Sequence, residues 1–487
     1  MSARLSLLRP SEFRTAHAEK MLCVQLIFWL GVAASVSIGL GNAGNDLCNA
    51  MGVTVGARVL PLWKAVVLGA LFDGLGALLM GGRVAHTVGE RIVDPALYSD
   101  EPLLLAKAML VVMLAGGATM ITGTLAAMPI SAHHSVVGAL VAVGCLTRGA
   151  SAVRWEVVRD IALSWVGNPL LGLATSAAIF LLIDRAVLAR TDPDAAFRAW
   201  RWALYVFTFL ACLPFALYTS PQLHVSAGAA VGVSCALGLV GALLSDRLAV
   251  WLRVARAPSP PLIGKGHADD DEERGGGGGL KEEKTPLIAR KADDDGGADA
   301  DAAARRPRTA VEERFAPLLI LSALSVAFVH GAQDVSNAAG PLLQIDAQAR
   351  RARGAAAAET TPQWPLWLGV GSFVVGDLVL GAFVVGTVGS KITEMTPSRA
   401  FAAQMGTVVA LTSATLLALP VSTSECIVGS VIGVGLAQRY GGGGDARLDF
   451  GVLRRIWAAW LLTIPYAAAW AAVCFVALQS VCRRLGV

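Results

Sequence analysis

Long apolar stretches separated by short polar segments dominate this chain. Four stretches, 21–40, 59–80, 103–128 and 225–244, are each long enough to cross about 30 Å of hydrocarbon as a helix. Further candidates are 161–183, 203–218, 317–328, 366–388, 400–419 and 457–478. No strand-type alternation appears, so the pattern predicts an all-α polytopic membrane protein with about ten to twelve transmembrane helices.

One long polar segment interrupts this pattern. Residues 253–315 combine a glycine run, acidic clusters and interspersed Lys and Arg, and such a composition cannot bury a core. We therefore expect a disordered hydrophilic central loop between two membrane halves. The predicted organisation is a tail at 1–20, a first half at 21–252 with repeat 1, the loop at 253–315, a second half at 316–480 with repeat 2, and a tail at 481–487.

Composition supports the membrane interpretation. The 487-residue chain is 55% hydrophobic and 16% charged, with a mean hydropathy of +0.60; a soluble chain carries about a quarter charged residues. We expect membrane lipid to surround the protein. A net charge of +4 gives no indication of a nucleic-acid partner. The eight Cys are scattered, which favours buried free thiols. No nucleophile–base or metal-ligand constellation appears, so we expect neither an enzyme nor an organic cofactor.

Two distant segments spell the same motif within apolar surroundings. Residues 46–52 and 334–340 both read Asp-x-x-Asn-Ala-x-Gly. A carboxylate at membrane depth costs several kcal/mol, so its duplication indicates a function. The pattern predicts an internally duplicated transporter whose site lies where the two copies meet.

Other blocks recur in the same order. The spacing of residues 84–92 returns at 384–392, and the Pro-x-Ser and Val-Gly pattern of 129–138 returns at 420–429. Ordered recurrence of several blocks favours duplication over the general likeness of Gly- and Val-rich membrane helices.

The motifs resemble the duplicated signature of the inorganic phosphate transporter (PiT) family, which is roughly Gly-Ala-Asn-Asp-Val-Ala-Asn. Segments 44–49 and 330–337 match it, 129–134 matches the family's Pro-Ile-Ser-Gly-Thr-His, and 420–424 matches its Pro-Val-Ser-Thr-Thr. The large central loop is similar to that of eukaryotic members. This chain departs from the pattern where His133 replaces Thr, Glu425 replaces His, Gln333 replaces Asn, and Ala43-Gly44 inverts the usual order.

The resemblance implies a secondary active transporter that imports inorganic phosphate by Na⁺ symport. It also implies two inverted repeats, broken or re-entrant segments, alternating access, a multi-pass protein of the plasma membrane, and a possible homodimer. Open alternatives are an H⁺-coupled phosphate or sulfate permease of the same family, a receptor or sensor without transport activity, and residence in an organelle membrane.

The paired Asp and Asn side chains suit a cation. Residues at i and i+3 share a helix face, so Asp46 with Asn49, and Asp334 with Asn337, point the same way. Flanking Gly and Pro residues predict helix breaks that free backbone carbonyls, giving hard oxygen ligands for Na⁺ as the coupling ion. Helix N-capping by Asp is the alternative. The candidate sodium ligands are Asn45, Asp46, Asn49, Gln333, Asp334 and Asn337.

The Ser-rich turns suit an anion. Free N–H groups at a helix start, together with hydroxyls, bind anions without Lys or Arg, although Ser and Thr are also ordinary N-caps. A phosphate that retains a proton can donate to an Asp carboxylate, whereas sulfate cannot, which favours phosphate. The candidate phosphate ligands are Asp46, Asn49, Ser131, Ala132, His133, Asp334, Asn337, Ser422, Thr423 and Ser424.

Two further acids lie within apolar stretches. Asp73 and Asp377 are candidates for residues essential to transport; by the repeat register they are about one helical turn apart, and a wet crevice or a neighbouring partner is the alternative explanation. The resemblance implies a transport role for an acid near Asp73. His133 is expected to line the site and bring pH sensitivity, and Glu425 is either a surface residue or a protonatable group.

Overall fold

The computed structural model describes residues 10–125, 131–211, 226–254, 288–289, 310–354, 363–382, 385, 396–440, 447–448 and 450–484. Most of the predicted central loop lies outside these ranges. So do Pro129 and Ile130 of the first Ser-rich turn, and residues 384 and 386–392 of the second copy of the Thr-Val-Gly block.

Helices form nearly all of the described chain. They are α1 (Pro10–Gly56), α2 (Leu62–His86), α3 (Pro102–Leu125), α4 (Ala132–Arg148), α5 (Trp155–Ile183), α6 (Pro193–Ala211), α7 (Ala227–Val254), α8 (Ala316–Ala352), α9 (Trp364–Gly376), α10 (Pro397–Leu416), α11 (Thr423–Tyr440) and α12 (Phe450–Arg484). Short 3-10 turns occur at Pro95–Tyr98 and Ala150–Ala152, and π-helical turns follow α2, α5 and α9 at Thr87–Arg91, Asp184–Leu188 and Asp377–Gly381. Strand β1 (Ile288–Ala289) pairs antiparallel with β2 (Arg447–Leu448).

The predicted all-α membrane fold is confirmed. Within the described ranges, eight helices are long and apolar enough to cross a membrane. Helices α4, α6, α10 and α11 lie outside this group because they are shorter or less apolar than it requires, which accounts for the difference from the predicted ten to twelve spans. Helix α8 is central, because 72% of its most apolar window is buried inside the protein.

The order of the helices repeats. Helices α1 to α5 correspond to α8 to α12: both first helices carry the Asp-x-x-Asn motif, both second helices run into a π-helical turn, and both fifth helices contain an internal proline, Pro169 or Pro465. Helices α6 and α7 stand between the two sets.

The two repeats exchange packing partners. Helix α8 packs against α2 and α1 packs against α9, while α5 packs against α10 and α11, and α12 packs against α3 and α4. A pseudo-two-fold relation between repeats produces this reciprocal arrangement, and it places equivalent residues of the two copies near a shared centre.

The link between α10 and α11 turns inside the protein. The chain leaves α10 through Ala418, which has a positive φ of 55°, and enters α11 after Ser422. Val421, Ser422 and Thr423 are buried, so protein covers the irregular backbone of this link, as is required at membrane depth. The start of α4, from Ser131 to His133, is buried in the same way.

Candidate functional site

The two duplicated carboxylates meet at the centre of the protein. Asp46 on α1 and Asp334 on α8 lie with His330 in a group whose ligand atoms are all within 4.8 Å of one another. Asp334 and His330 are buried, and Asp46 is half-buried. The structure thus brings together the acids of both repeats, as the sequence predicts for a site between the copies.

The signature helices are continuous, contrary to the predicted breaks. Helices α1 and α8 run through both Asp-x-x-Asn motifs, so neither Asp is an N-cap. Glycine serves close packing instead: a Cβ on Gly331 would overlap the backbone carbonyl of Asp73 on α2. One carbonyl nevertheless loses its usual helical donor, because Pro341 lies inside α8 and has no N–H for the carbonyl of Asn337.

Side-chain amides hold the two carboxylates. Asn42 donates from Nδ2 to Oδ2 of Asp334 at 3.1 Å, across the two repeats. Asn49 Nδ2 lies 3.3 Å from Oδ1 of Asp46 and 2.9 Å from Oγ of Ser424. Asn42 was not among the predicted residues, although its position one turn before Asp46 on the same helix is a signal that the sequence contains.

Asn337 has unused hydrogen-bonding capacity. Neither atom of its buried side-chain amide has a partner among the described residues. Because a buried amide without partners costs about 1–3 kcal/mol, this side chain is suited to contact a bound ligand. Asn45 belongs to α1, and its side chain lies outside what the structure describes.

His330 joins the duplicated acids to a third carboxylate. Its Nδ1 lies 3.0 Å from both oxygens of Asp73, and its Nε2 lies 3.1 Å from Oδ2 of Asp334. An imidazolium donates from both nitrogens, so a protonated His330 can satisfy both acids. Sequence reasoning quoted His330 only as part of a motif; its position one turn before Asp334, on the same face, was the available signal.

Asp377 lies beside Asp73, and both are fully buried. The one-turn offset expected from the repeat register does not separate them, because α2 and α9 pack against each other and their side chains meet across the interface. Neither carboxylate oxygen of Asp377 accepts a well-aligned hydrogen bond from the described residues. Adjacent buried acids of this kind need a proton or cation between them.

Comparison with known proteins identifies the fold. A model of the phosphate transporter family matches residues 42–471. The chain belongs to this family. A relative in Arabidopsis thaliana, "inorganic phosphate transporter 2-1, chloroplastic", is 31% identical over 433 residues, covering 88% of this chain and 68% of the relative. A Haemophilus influenzae relative named as a phosphate permease is 28% identical over 456 residues, covering 93% and 97% of the two chains.

A solved structure supports the same assignment. "The sodium-dependent phosphate transporter" superposes with a TM-score of 0.73 at 27% identity, covering 93% of this chain and 99% of that one. The chain is therefore a multi-pass integral membrane protein of a transporter family, and the expectation that it is not an enzyme is confirmed by that family.

In this transporter, the Ser-rich turns begin helices next to the acids. Ser131 caps α4, where its Oγ accepts from the His134 N–H at 3.4 Å. Gln333 braces the other turn: its Oε1 accepts from the Val421 N–H at 3.2 Å, and its Nε2 donates to Thr415 at 2.9 Å. The predicted sodium-ligand role of Gln333 would therefore require its oxygen to serve a second partner.

Two predicted phosphate ligands have atoms to spare. His133 Nδ1 lies 3.6 Å from Oδ1 of Asp334, and His133 Nε2 has no partner among the described residues. The hydroxyl of Thr423 is likewise unpartnered within the described chain. Ala132 and Ser422 are buried at the same helix starts. The predicted residues from α1, α4, α8 and α11 thus converge. The Ser-rich turns that begin α4 and α11 lie next to the group of acids.

Proposed function

We propose that this transporter imports inorganic phosphate with Na⁺ by alternating access between its two repeats. The main support for this proposal is that Asp46 and Asp334, one from each repeat, converge beside the helix starts at Ser131 and Thr423. A cation site and an anion site that share the centre of two related bundles suit coupled transport.

Charge balance supports the cation. Four acids, Asp46, Asp73, Asp334 and Asp377, gather in one buried region, and the ion pairs they form among the described residues are with His133 and His330. Two histidines cannot neutralise four carboxylates. We assign Na⁺ to the oxygens of Asp46, Asn49, Asp334 and Asn337, with Asn45 and Gln333 as further candidates.

The helix starts support the anion. The first N–H groups of α4 and α11 have no acceptor within their own helices, and hydroxyls of Ser422, Thr423 and Ser424 lie at the same place. Such groups favour an anion. Bound Na⁺ would add positive potential and offset the nearby acids, so the anion and cation would each raise the affinity for the other.

We further propose that Asp73 and Asp377 are essential for transport. They share a buried contact, and His330 connects Asp73 directly to Asp334. A cation or proton held between the two acids would therefore alter the charge on His330 and the strength of its contact with Asp334. This connection gives a second acidic pair a direct physical route to the central site.

The coupling ion is testable in proteoliposomes loaded with purified transporter. We expect labelled phosphate to accumulate when an inward Na⁺ gradient is imposed at equal pH, and little accumulation with an inward H⁺ gradient and no Na⁺. The reverse result would assign H⁺ coupling. Absence of uptake under both gradients, by folded protein that binds phosphate, would indicate a receptor or sensor.

Sulfate competition tests the choice of anion. Sulfate at neutral pH has no proton to donate to Asp46 or Asp334, and a buried acceptor that loses its donor costs about 1–3 kcal/mol. This penalty corresponds to an affinity at least about fivefold lower, so we expect sulfate to inhibit labelled phosphate uptake at least about fivefold more weakly than unlabelled phosphate, the positive control. Strong inhibition by sulfate would replace phosphate by sulfate as the proposed substrate.

We place the transporter in the plasma membrane. An import role requires a membrane that faces a phosphate supply, and an organelle membrane is the alternative. Imaging of a fluorescent fusion beside markers of both membranes distinguishes the two.

A further inference from the structure

A buried acid–base pair connects two helical hairpins, of which the first consists of α3 and α4 and the second of α10 and α11. His134 Nδ1 lies 3.0 Å from Oε1 of Glu425, and their side chains are only 6% and 2% exposed. His134 is the third residue of α4, and Glu425 is the third residue of α11. These are equivalent positions of the two repeats, so their contact lies near the pseudo-two-fold axis that relates the repeats.

The pair is enclosed by protein. The ring of Trp165 on α5 meets the ring of His134 edge-on, with centroids 3.8 Å apart, and its Nε1 donates to the carbonyl of Pro420 at 3.0 Å. Neither oxygen of Glu425 accepts a well-aligned hydrogen bond from the described residues. One carboxylate oxygen thus has room for a proton, and water has little access to screen the charge.

Few other charged groups face the pair. His133 on α4 and Cys426 on α11 interact with it electrostatically, and Asp334 on α8 lies beyond His133. Helix α5 presents Trp165, while its charged side chains Glu156, Arg159 and Asp160 are exposed. The other helices that pack against α4 and α11 also carry titratable side chains among the described residues, including Asp46 and Cys48 on α1, Lys107 on α3, His330 on α8, Arg399 on α10, and Arg454, Tyr466, Cys474 and Cys482 on α12.

The pair is adjacent in sequence to the proposed phosphate ligands. His133, next to His134, reaches Asp334, and Ser424, next to Glu425, accepts from Asn49. A change of charge on the pair would therefore be felt at the start of both helices. When it holds one proton, the pair is neutral in sum; when it loses that proton, it carries one negative charge beside the anion site.

We propose that His134 and Glu425 form a proton-binding site that couples proton uptake to phosphate binding. An incoming anion favours the neutral pair over the negative one, so phosphate binding draws a proton onto the pair, whichever of the two side chains holds it. The inference rests on the proposed phosphate binding and adds a proton to the ions bound with it. Glu425 stands where the resembling family has His, so this negative group is a departure of this chain.

Calorimetry measures this proton directly. Phosphate is titrated into purified transporter in Na⁺ at pH 7, in buffers of different ionisation enthalpy, which gives the protons taken up per phosphate bound. We expect more proton uptake in the natural protein than in Glu425→Gln, with a difference of up to about one proton. Phosphate's own titration is common to all variants and cancels in the difference. Glu425→Asp should retain the extra uptake.

The same variants separate coupling from structure. We expect phosphate affinity to fall as the pH rises from 6 to 8. The fall should be steeper in the natural protein than in Glu425→Gln or His134→Gln, with a difference of up to about tenfold per pH unit. If Glu425→Gln fails to fold, His134→Gln removes the base from the other hairpin. Equal proton uptake in natural and variant proteins that bind phosphate would overturn the inference. No phosphate binding by the natural protein would instead overturn the proposed function.

Discussion

Asp334→Asn should lower Na⁺-driven phosphate uptake by about 100-fold or more. Asp334 accepts from Asn42 and contacts His133 and His330, so it is the most connected acid of the central group. Removing one partner of a buried charge pair costs about 2–5 kcal/mol of binding free energy, and each 1.4 kcal/mol is a factor of ten in affinity. Initial rates of labelled phosphate uptake in proteoliposomes, at several Na⁺ concentrations, measure the loss.

Asp346→Asn is the matched control on the same helix. Asp346 forms an ion pair with Arg350 at 2.9 Å, and among the described residues no ion pair or hydrogen bond joins it to the central acids. Asp346 is buried, but its partner is partly exposed, and an Asn at this position keeps an oxygen that can accept from the guanidinium, so uptake should stay within about twofold. If Asp334→Asn folds, and still transports at the rate of Asp346→Asn with the same Na⁺ dependence, Asp334 is not a sodium ligand.

The sequence predicts the central acids because a duplicated motif indicates which residues of the two repeats lie close together. Asp46 and Asp334 share a motif and therefore occupy equivalent positions of the two repeats. Because the repeats pack reciprocally, these equivalent positions meet near the centre of the protein. The helix starts at Ser131 and Thr423 were predictable for a local reason, since Pro and Ser near a break determine where a helix begins.

Contacts between unlike positions of the repeats could not be predicted in this way. His330 reaches Asp73, and Asp73 reaches Asp377, through the way α2 packs against α8 and α9. An alignment of the two repeats shows which residues are equivalent. It does not show which non-equivalent residues contact each other when the helices pack, and these side chains meet across such packing interfaces. The helix breaks predicted at the two Asp-x-x-Asn motifs were wrong for a related reason: Gly331 is required by the close packing of α2, which the sequence near the motif does not reveal.

Gly76→Ala should strongly destabilise the folded transporter. A Cβ on Gly76 of α2 would overlap the backbone carbonyl of Phe328 on α8. Backbone cannot move aside as a flexible side chain does, so α2 and α8 would have to separate. Overpacking typically costs about 1–3 kcal/mol, and more when backbone must shift. We expect a lower yield of monodisperse protein in detergent and a lower midpoint of thermal unfolding, both measured by size-exclusion fluorescence after heating.

Gly82→Ala is the control for this change. Gly82 lies on the same helix, and its added Cβ would meet only Cδ2 of Leu366 at 3.8 Å, an ordinary contact. Alanine favours a helix over glycine by about 1 kcal/mol, so this variant should be at least as stable as the natural protein. The same close approach brings Asp73, one turn before Gly76, to His330, two residues after Phe328. If Gly76→Ala is as stable as Gly82→Ala, then α2 and α8 are farther apart than described, and the bridge from Asp73 through His330 to Asp334 loses its support.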